Sequence, residues 1–362
     1  VTKLQTVDIK LTSYIERDNL KKIKVAILGG TGAVGQKFVA LLDNHPWFEI
    51  SEITASSNSA GKTYESCTNW REITPIPERV RNIIIKNCDE KLNSQIVFSA
   101  LDSSVAGDVE KLYAKNGHYI FSNSKNHRMS ERSPILIPEI NADHLQIIDP
   151  KNFIVTNANC TTTVLALAIY PIHQKYQITE LIVTSMQAIS GAGYPGPSAN
   201  DIMNNVIPFI DGEEQKVETE IKKILGTVKN STIVFDEICA SAHCNRVPVF
   251  DGHTVTVSLK TKKKATIQEI ENCYNDFSSI TTNMGLPFAP KKLYNLFTAN
   301  NRPQPKLDIF SDNTMAISIG RLRPCSILDY KLVALGHNTI RGAAGGSILN
   351  AEYCVKTKII SI

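Results

Sequence analysis

The stretch KIKVAILGGTGAVGQKFVALLDNHP, residues 22–46, decides the fold. Val25 to Leu28 is a short apolar run of the kind that forms a strand buried on both faces. Gly30-Thr31-Gly32-Ala33-Val34-Gly35 follows as GxGxxG, and Phe38, Val39, Leu41 and Leu42 then fall at helical spacing. A glycine triplet between a strand and a helix has a physical purpose. The glycines allow a tight turn, let the backbone approach a pyrophosphate, and let the helix lie close on the strand. The anion rests on the N–H groups at the helix start.

The β-α pattern repeats. A second strand is expected over Glu49–Ala55, ending in SSNSAGK, residues 56–62. Further on, SQIVFSALDSSVAGDVEKLYAKNGHYIFSNS reads as strand, turn, helix and strand. Alternating strands and helices predict a Rossmann-type, doubly wound α/β domain. The texture changes near residue 160. ELIVTSMQAISGAGYPG and HTVTVSLKTKK alternate apolar and polar residues like half-exposed antiparallel strands. KVETEIKKILG and ATIQEIENCYNDF read as amphipathic helices, so this second domain is α+β. The Gly-rich stretch GHNTIRGAAGGSILNAEYCVK leads into a last helix expected to return to the first domain. The division is therefore an N-terminal extension over 1–22, a dinucleotide-binding domain over 23–158 completed by 341–362, and a catalytic and dimerisation domain over 159–340.

Composition sets limits on function. A chain of 362 residues is long for one core, and its 42% hydrophobic and 20% charged residues are those of a soluble globular protein. A net charge of +4 suits small anionic ligands and does not point to nucleic acid. No apolar run reaches bilayer-spanning length, and the first residues show no signal-peptide pattern. Eight scattered cysteines without a CxxC pair fit a reducing compartment, so a cytoplasmic location is expected. The group Cys239, His243 and Cys244 is read as structural, because no second ligand pair of matching spacing follows, and no metal is expected.

NANCTTTVLALAIYP, residues 157–171, carries the first chemical signal. The uncharged run from Val164 to Tyr170 reads as a buried helix that Pro171 ends, with Asn and Thr as capping residues. Cys160 then stands at the helix start, where free N–H groups and the dipole favour a thiolate. The alternative is a buried small hydrophobe. A dinucleotide site beside a reactive thiol suggests aldehyde chemistry. The thiol adds to the carbonyl carbon, hydride passes to or from a nicotinamide, and a thioester links the two half-reactions. HCNRVPVFDGHTVTV offers an anion clamp in Arg246 and an acid/base in His253, although each alone also reads as an ordinary surface or core residue.

Together these segments are similar to the aspartate-β-semialdehyde dehydrogenase family, in its archaeal and fungal branch. The resemblance runs from about Lys24 to the C-terminus. It rests on GGTGAVGQ, SALDSSVAG, SNSKNHRM, NANCTTT, QAISGAGYPG, EIKKILG, HCNRVPVFDGHT and GHNTIRGAAGG, in family order. It implies NADP-dependent reductive dephosphorylation of L-aspartyl 4-phosphate to L-aspartate 4-semialdehyde and phosphate, on the route to lysine, methionine and threonine. It implies Cys160 as nucleophile, His253 as acid/base and Gln187 as orienting residue. Arg246 would hold the substrate α-carboxylate, Glu220 the ammonium, and Lys223 and Arg128 the phosphate, assisted by Asn159. Glu220 and Lys223 are three apart on a predicted helix, so they also read as a plain surface ion pair.

For the cofactor, the resemblance implies Gly30, Thr31, Gly32, Ala33 and Val34 at the pyrophosphate. Ser99 and Leu101 would flank it, and Ser190, Gly191 and Asn338 would line the nicotinamide. Relatives in this branch usually carry an arginine where this chain has Asn58, and that arginine would grip the 2′-phosphate. No acidic residue stands at the strand end to bind a free 2′-hydroxyl. Ser56, Ser57, Ser59 and Lys62 remain as phosphate ligands, so NADP is expected. The partners implied are small molecules and a second or further copies of the chain, as homodimer or homotetramer, with neither nucleic acid nor membrane. Two rivals remain: a malonyl-CoA reductase on the same scaffold, and an NADP-binding redox sensor without turnover.

Overall fold

The structure is a computed structural model and describes residues 22–362. The extension set apart at 1–22 lies, except for Lys22, outside the described residues. Six parallel strands form the first sheet: β1 (Ile23–Leu28), β2 (Phe48–Ala55), β3 (Lys86–Asn87), β4 (Ile96–Ser99), β5 (Tyr119–Ser122) and β6 (Ile154–Thr156). Their order is β3-β2-β1-β4-β5-β6. The chain moves outward from β1 to β3 and then crosses back to β4, so β1 and β4 splay their following loops apart. That reversal opens a crevice at the carboxyl ends of the strands, where dinucleotides bind in such sheets.

Helix α1 (Ala33–Leu42) connects β1 to β2, and α2 (Ser103–Lys115) connects β4 to β5. The start of α2 is capped by Asp102, which accepts from the Ser104 amide at 2.8 Å. Glycine is required at Gly35 because a Cβ there would lie 2.2 Å from the Gly29 carbonyl oxygen. Helix α1 packs on β1 only without that atom.

The second sheet contains β7 (Ile178–Gln187), β10 (Cys239–Arg246), β11 (His253–Thr261), β12 (Tyr294–Phe297), β13 (Ile317–Pro324) and β14 (Tyr330–Gly336), in the order β10-β7-β11-β14-β13-β12. A separate hairpin pairs β8 (Thr227–Lys229) with β9 (Thr232–Val234). The larger sheet is mixed, not antiparallel throughout: β10 runs parallel to β7, and β12 parallel to β13. A helix lies between β7 and β10 in the chain, and a helical crossover returns the chain in the same direction.

Helix α3 (Cys160–Tyr176) lies against this sheet, with α4 (Glu213–Ile224) and α5 (Ile267–Asn275) beside it. Val164 to Ile169 are wholly buried in a core shared with Val183, Val255, Val257 and Ala334. Pro171 sits inside α3 and does not end it. A proline lacks the N–H that would satisfy the carbonyl four residues back. That carbonyl belongs to Leu167, and the Tyr294 hydroxyl donates to it at 2.8 Å. The Tyr274 hydroxyl donates to the next carbonyl, on Ala168, at 2.7 Å. Two buried tyrosines thus supply the polar partners that let the helix continue.

The last helix, α6 (Gly345–Lys356), follows a wider helical turn over Ile340–Ala344. Its residues Ile348, Leu349 and Cys354 share a core with Val25, Ile27, Phe38 and Phe98 of the first sheet. The chain end is thereby packed onto the layer where the described fold begins.

Candidate active site

Three strand ends meet at one edge of the second sheet. In register, Arg246 of β10 lies opposite Gln187 of β7, and Thr254 of β11 opposite Met186. The parallel pair β7 and β10 therefore finishes where the antiparallel β11 begins. Arg246, Gln187 and His253 converge although they lie far apart in the chain. Cys160, the first residue of α3, points to the same place: its Sγ is 3.2 Å from His253 Nε2.

The loop after β7 closes the group. The Ala188 N–H donates to His253 Nδ1 at 3.1 Å, and the Ala188 carbonyl accepts from Arg246 Nη1 at 2.8 Å. Gly191 crosses directly above, and a Cβ there would be 2.9 Å from His253 Cε1 and 3.0 Å from Arg246 Nη1. Burial, with Arg246 and His337 nearby, pushes the His253 imidazole down to about 3. Burial and the Glu213 carboxylate push the Cys160 thiol up to about 12, against the opposing pull of Arg128, Arg246 and the Thr161 amide. Burial thus disfavours both a thiolate on Cys160 and an imidazolium on His253, against the preference of the helix start for an anion. Loss of solvation outweighs the helix terminus here.

Asn159 is the cap of α3. Its Oδ1 accepts from the amides of Thr161 and Thr162 at 2.9 and 3.2 Å, and its Nδ2 donates to Glu213 at 2.9 Å. Glu213 was not singled out from the sequence, yet it is the carboxylate beside the thiol. It also accepts from Gln187 Nε2 at 3.3 Å and Lys216 Nζ at 2.6 Å. Burial raises its pKa, but Lys216, Asn159 and Gln187 together hold it below the ordinary value, so it is ionised. A signal was present: Glu213 lies seven residues before Glu220, two helical turns along one face of α4. On that face Val217 and Ile224 are also buried.

Glu220, Lys223 and Arg128 are brought together, but they satisfy one another and the backbone. Glu220 accepts from Arg128 Nη1 at 2.9 Å and from the Asn159 amide at 2.6 Å. Arg128 also donates to the carbonyls of Asn157 and Asn123. Lys223 Nζ donates to the carbonyls of Arg128, Ser130 and Ser133 at 2.6, 2.7 and 2.9 Å. An ammonium has three protons, and all three are used. Lys223 is thus held by the loop, and Glu220 is paired with Arg128. The surface-pair reading fails, since both side chains are buried.

At the dinucleotide crevice, no side chain caps the start of α1. Its first N–H groups are free to meet a pyrophosphate, and Gly32 and Ala33 are exposed there, with Thr31 and Val34 half-buried and Gly30 buried beneath. Ser56 and Ser57 are exposed at the end of β2, with Ser59 half-buried. Lys62 is exposed and donates to the Asn58 carbonyl at 2.9 Å. Two expected contacts are placed otherwise. The Ser99 side chain is wholly buried, while Leu101 is half-buried. Asn338 is buried: its Oδ1 accepts from the Gly252 amide at 2.9 Å and its Nδ2 donates to Ser190 at 2.8 Å. It is thereby tied to the loop after β7 through Ser190. Among the described residues there is no cluster of His, Cys, Asp or Glu able to hold a metal, and no helix long and apolar enough to cross a membrane.

A Rossmann-type domain joined to a domain that sets a helix-start cysteine beside a histidine and an arginine is the architecture of a nicotinamide-dependent dehydrogenase. Family models described as "Semialdehyde dehydrogenase, NAD binding domain" and "Semialdehyde dehydrogenase, dimerisation domain" match residues 24–148 and 169–341. The aspartate-semialdehyde dehydrogenase of Schizosaccharomyces pombe is 43% identical, covering 92% of this chain and 98% of that protein. That of Archaeoglobus fulgidus is 42% identical, covering 94% and 100%. The crystal structure of aspartate semialdehyde dehydrogenase with NADP from Candida albicans superposes with a TM-score of 0.88 at 38% identity, covering 93% of this chain and 100% of the other. The chain belongs to the aspartate-semialdehyde dehydrogenase family.

Proposed function

We propose that this protein reduces L-aspartyl 4-phosphate to L-aspartate 4-semialdehyde, releasing phosphate, with NADPH as the hydride source and a thioester on Cys160 between the two half-reactions. The observation that carries this reading is the 3.2 Å contact between Cys160 Sγ and His253 Nε2, set at a helix start beside Arg246. NADP fits the first domain through the uncapped start of α1, the glycine cradle and the exposed serines after β2. When bound, it supplies or accepts the hydride.

The chain's own residues do the rest. Cys160 attacks the acyl carbon, and the phosphate leaves with the electron pair of the broken C–O bond. Arg246 uses its guanidinium edge for the substrate carboxylate while Ala188 fixes its orientation. Glu213 receives the substrate ammonium in the place first assigned to Glu220, because it is ionised and stands by the thiol. Gln187, bonded to Glu213, orients substrate beside the sulfur. Glu220, Arg128 and Lys223 hold the loop that borders the phosphate position. The domain division at 158/159, with α6 completing the first domain, is part of the proposal, as are a homodimer or homotetramer and a cytoplasmic location.

Cys160→Ala should lower turnover by about three decades or more while leaving NADP binding intact. Quenched mass spectrometry with aspartyl phosphate should find the acyl group on the peptide carrying Cys160. An adduct on Cys239 or Cys244, or turnover of malonyl-CoA in place of aspartyl phosphate, would overturn the reading.

A further inference from the structure

We infer that Tyr64 and Gln36 are positioning residues for the cofactor: from outside the glycine turn they hold two of its carbonyls, and so preset the Thr31 N–H as a donor to the pyrophosphate of NADP. The inference deepens the cofactor reading above and rests on it. Neither side chain is one of the glycines by which the turn was recognised.

The turn after β1 closes on itself, because the Gly32 N–H donates to the Gly29 carbonyl at 3.1 Å. The Gly30 N–H is also used, donating to the Thr54 carbonyl of β2 at 3.0 Å. The Thr31 N–H between them meets no acceptor among the described residues. A trans peptide carries its C=O and N–H on opposite sides of one rigid plane. Fixing the Gly30 carbonyl therefore fixes the direction of the Thr31 N–H. The Tyr64 hydroxyl does so, donating to that carbonyl at 2.9 Å. Tyr64 is wholly buried, with its ring edge-on to Trp70, so the N–H is turned away from a buried ring.

Gln36, buried in α1, fixes the next plane. Its Nε2 donates to the Thr31 carbonyl at 2.8 Å, which holds the Gly32 N–H on its bond to Gly29. The same nitrogen donates to the Asn69 carbonyl at 3.1 Å, and Oε1 accepts from the Arg71 amide at 2.8 Å. Both amide protons and the oxygen are engaged. Tyr64, Asn69 and Arg71 all belong to the segment between β2 and β3, which also carries the exposed serines. The turn after β1 is thus braced against the segment after β2. A preset N–H binds an anion without the ordering cost that a loose turn incurs. It adds to the free N–H groups at the uncapped start of α1.

Calorimetric binding of three probes to the full chain separates positioning from general loosening. NADPH and 2′-phospho-ADP-ribose carry the pyrophosphate, and adenosine 2′-phosphate does not. Tyr64→Phe removes only the hydroxyl and keeps the ring beside Trp70. It should weaken both pyrophosphate probes by about three- to tenfold and leave adenosine 2′-phosphate within about twofold of the wild type. Gln36→Met keeps the length of the side chain without its polar groups and should give the same pattern. A loss shared equally by all three probes, or no loss for the two that carry pyrophosphate, overturns the inference. Hydrogen exchange at single-amide resolution gives a second reading on the wild type, with no variant needed. The Thr31 amide should exchange slower by about tenfold or more once NADPH is bound. An unchanged rate at saturating NADPH overturns the inference as well. If the wild type binds none of the three probes, the cofactor reading falls and takes this inference with it, an outcome distinct from a loss confined to the variants.

Discussion

Exchanging Glu213 and Glu220 for glutamine, one at a time, separates the two carboxylates of α4. Glu213 is ionised and lies beside the thiol, with Asn159, Gln187 and Lys216 around it. If it binds the substrate ammonium, Glu213→Gln removes one charge-assisted contact of about 1.5 to 3 kcal/mol. KM for the semialdehyde should then rise roughly ten- to a hundredfold. The same change removes the anion that raises the Cys160 pKa, so the thiol should be alkylated faster at a fixed pH. Glu220 is in another position: buried, paired with Arg128 at 2.9 Å and bonded to the Asn159 amide at 2.6 Å. Glu220→Gln strands a buried guanidinium, and breaking such a pair costs about 3 to 5 kcal/mol. Its signature should be a melting midpoint lower by on the order of 10 °C. Steady-state kinetics, iodoacetamide rates and thermal melting on both variants decide. A large rise in KM for Glu220→Gln with an unchanged midpoint, and no rise for Glu213→Gln, would refute the assignment.

Burial holds the Cys160 thiol near 12, so the alkylation rate of the resting enzyme should climb about tenfold per pH unit to at least pH 10; a plateau near neutrality would mean a resting thiolate. Tyr294→Phe leaves the Leu167 carbonyl buried and unpaired and should cost about 1 to 3 kcal/mol in denaturant unfolding. Pro171→Ala restores an N–H to that carbonyl, so it should recover part of this loss in the double variant; strict additivity would sink the argument. Gly191→Ala places a Cβ 2.9 Å from His253 and 3.0 Å from Arg246, and should abolish turnover with little change in melting midpoint. Asn58→Arg should raise the preference for NADPH over NADH by about tenfold to a hundredfold, through the NADPH constant; an unchanged ratio would place the 2′-phosphate elsewhere.

Much of the first domain was legible because its demands are local. A strand, three glycines and a helix must be adjacent in the chain to bind a pyrophosphate, so their spacing is visible in it. The helix start at Cys160 was legible for the same reason: Asn159 caps the turn that it precedes. The meeting of Cys160 with His253 is different in kind. It depends on β7, β10 and β11 ending at one edge, and a pairing across 93 residues leaves no periodic trace. Only the resemblance to a family carried it. Pro171 misled because the rule that proline ends helices assumes nothing else can satisfy the freed carbonyl, and here Tyr294 does so from 127 residues away.

Helix α4 shows where pattern stops and packing begins. Spacing correctly puts Glu213, Glu220 and Lys223 close to one face, but it cannot tell what that face meets. Arg128 reaches Glu220, three carbonyls enclose Lys223, and only Glu213, nearest the helix start, is left beside the thiol. Two identical side chains two turns apart thus divide into one paired with Arg128 of the loop and one beside Cys160. The difference lies in which of them the chain between β5 and β6 supplies with a fixed arginine. A carboxylate already neutralised by a buried partner gains little from a substrate ammonium, whereas one held by amides and a half-exposed lysine still has charge to offer.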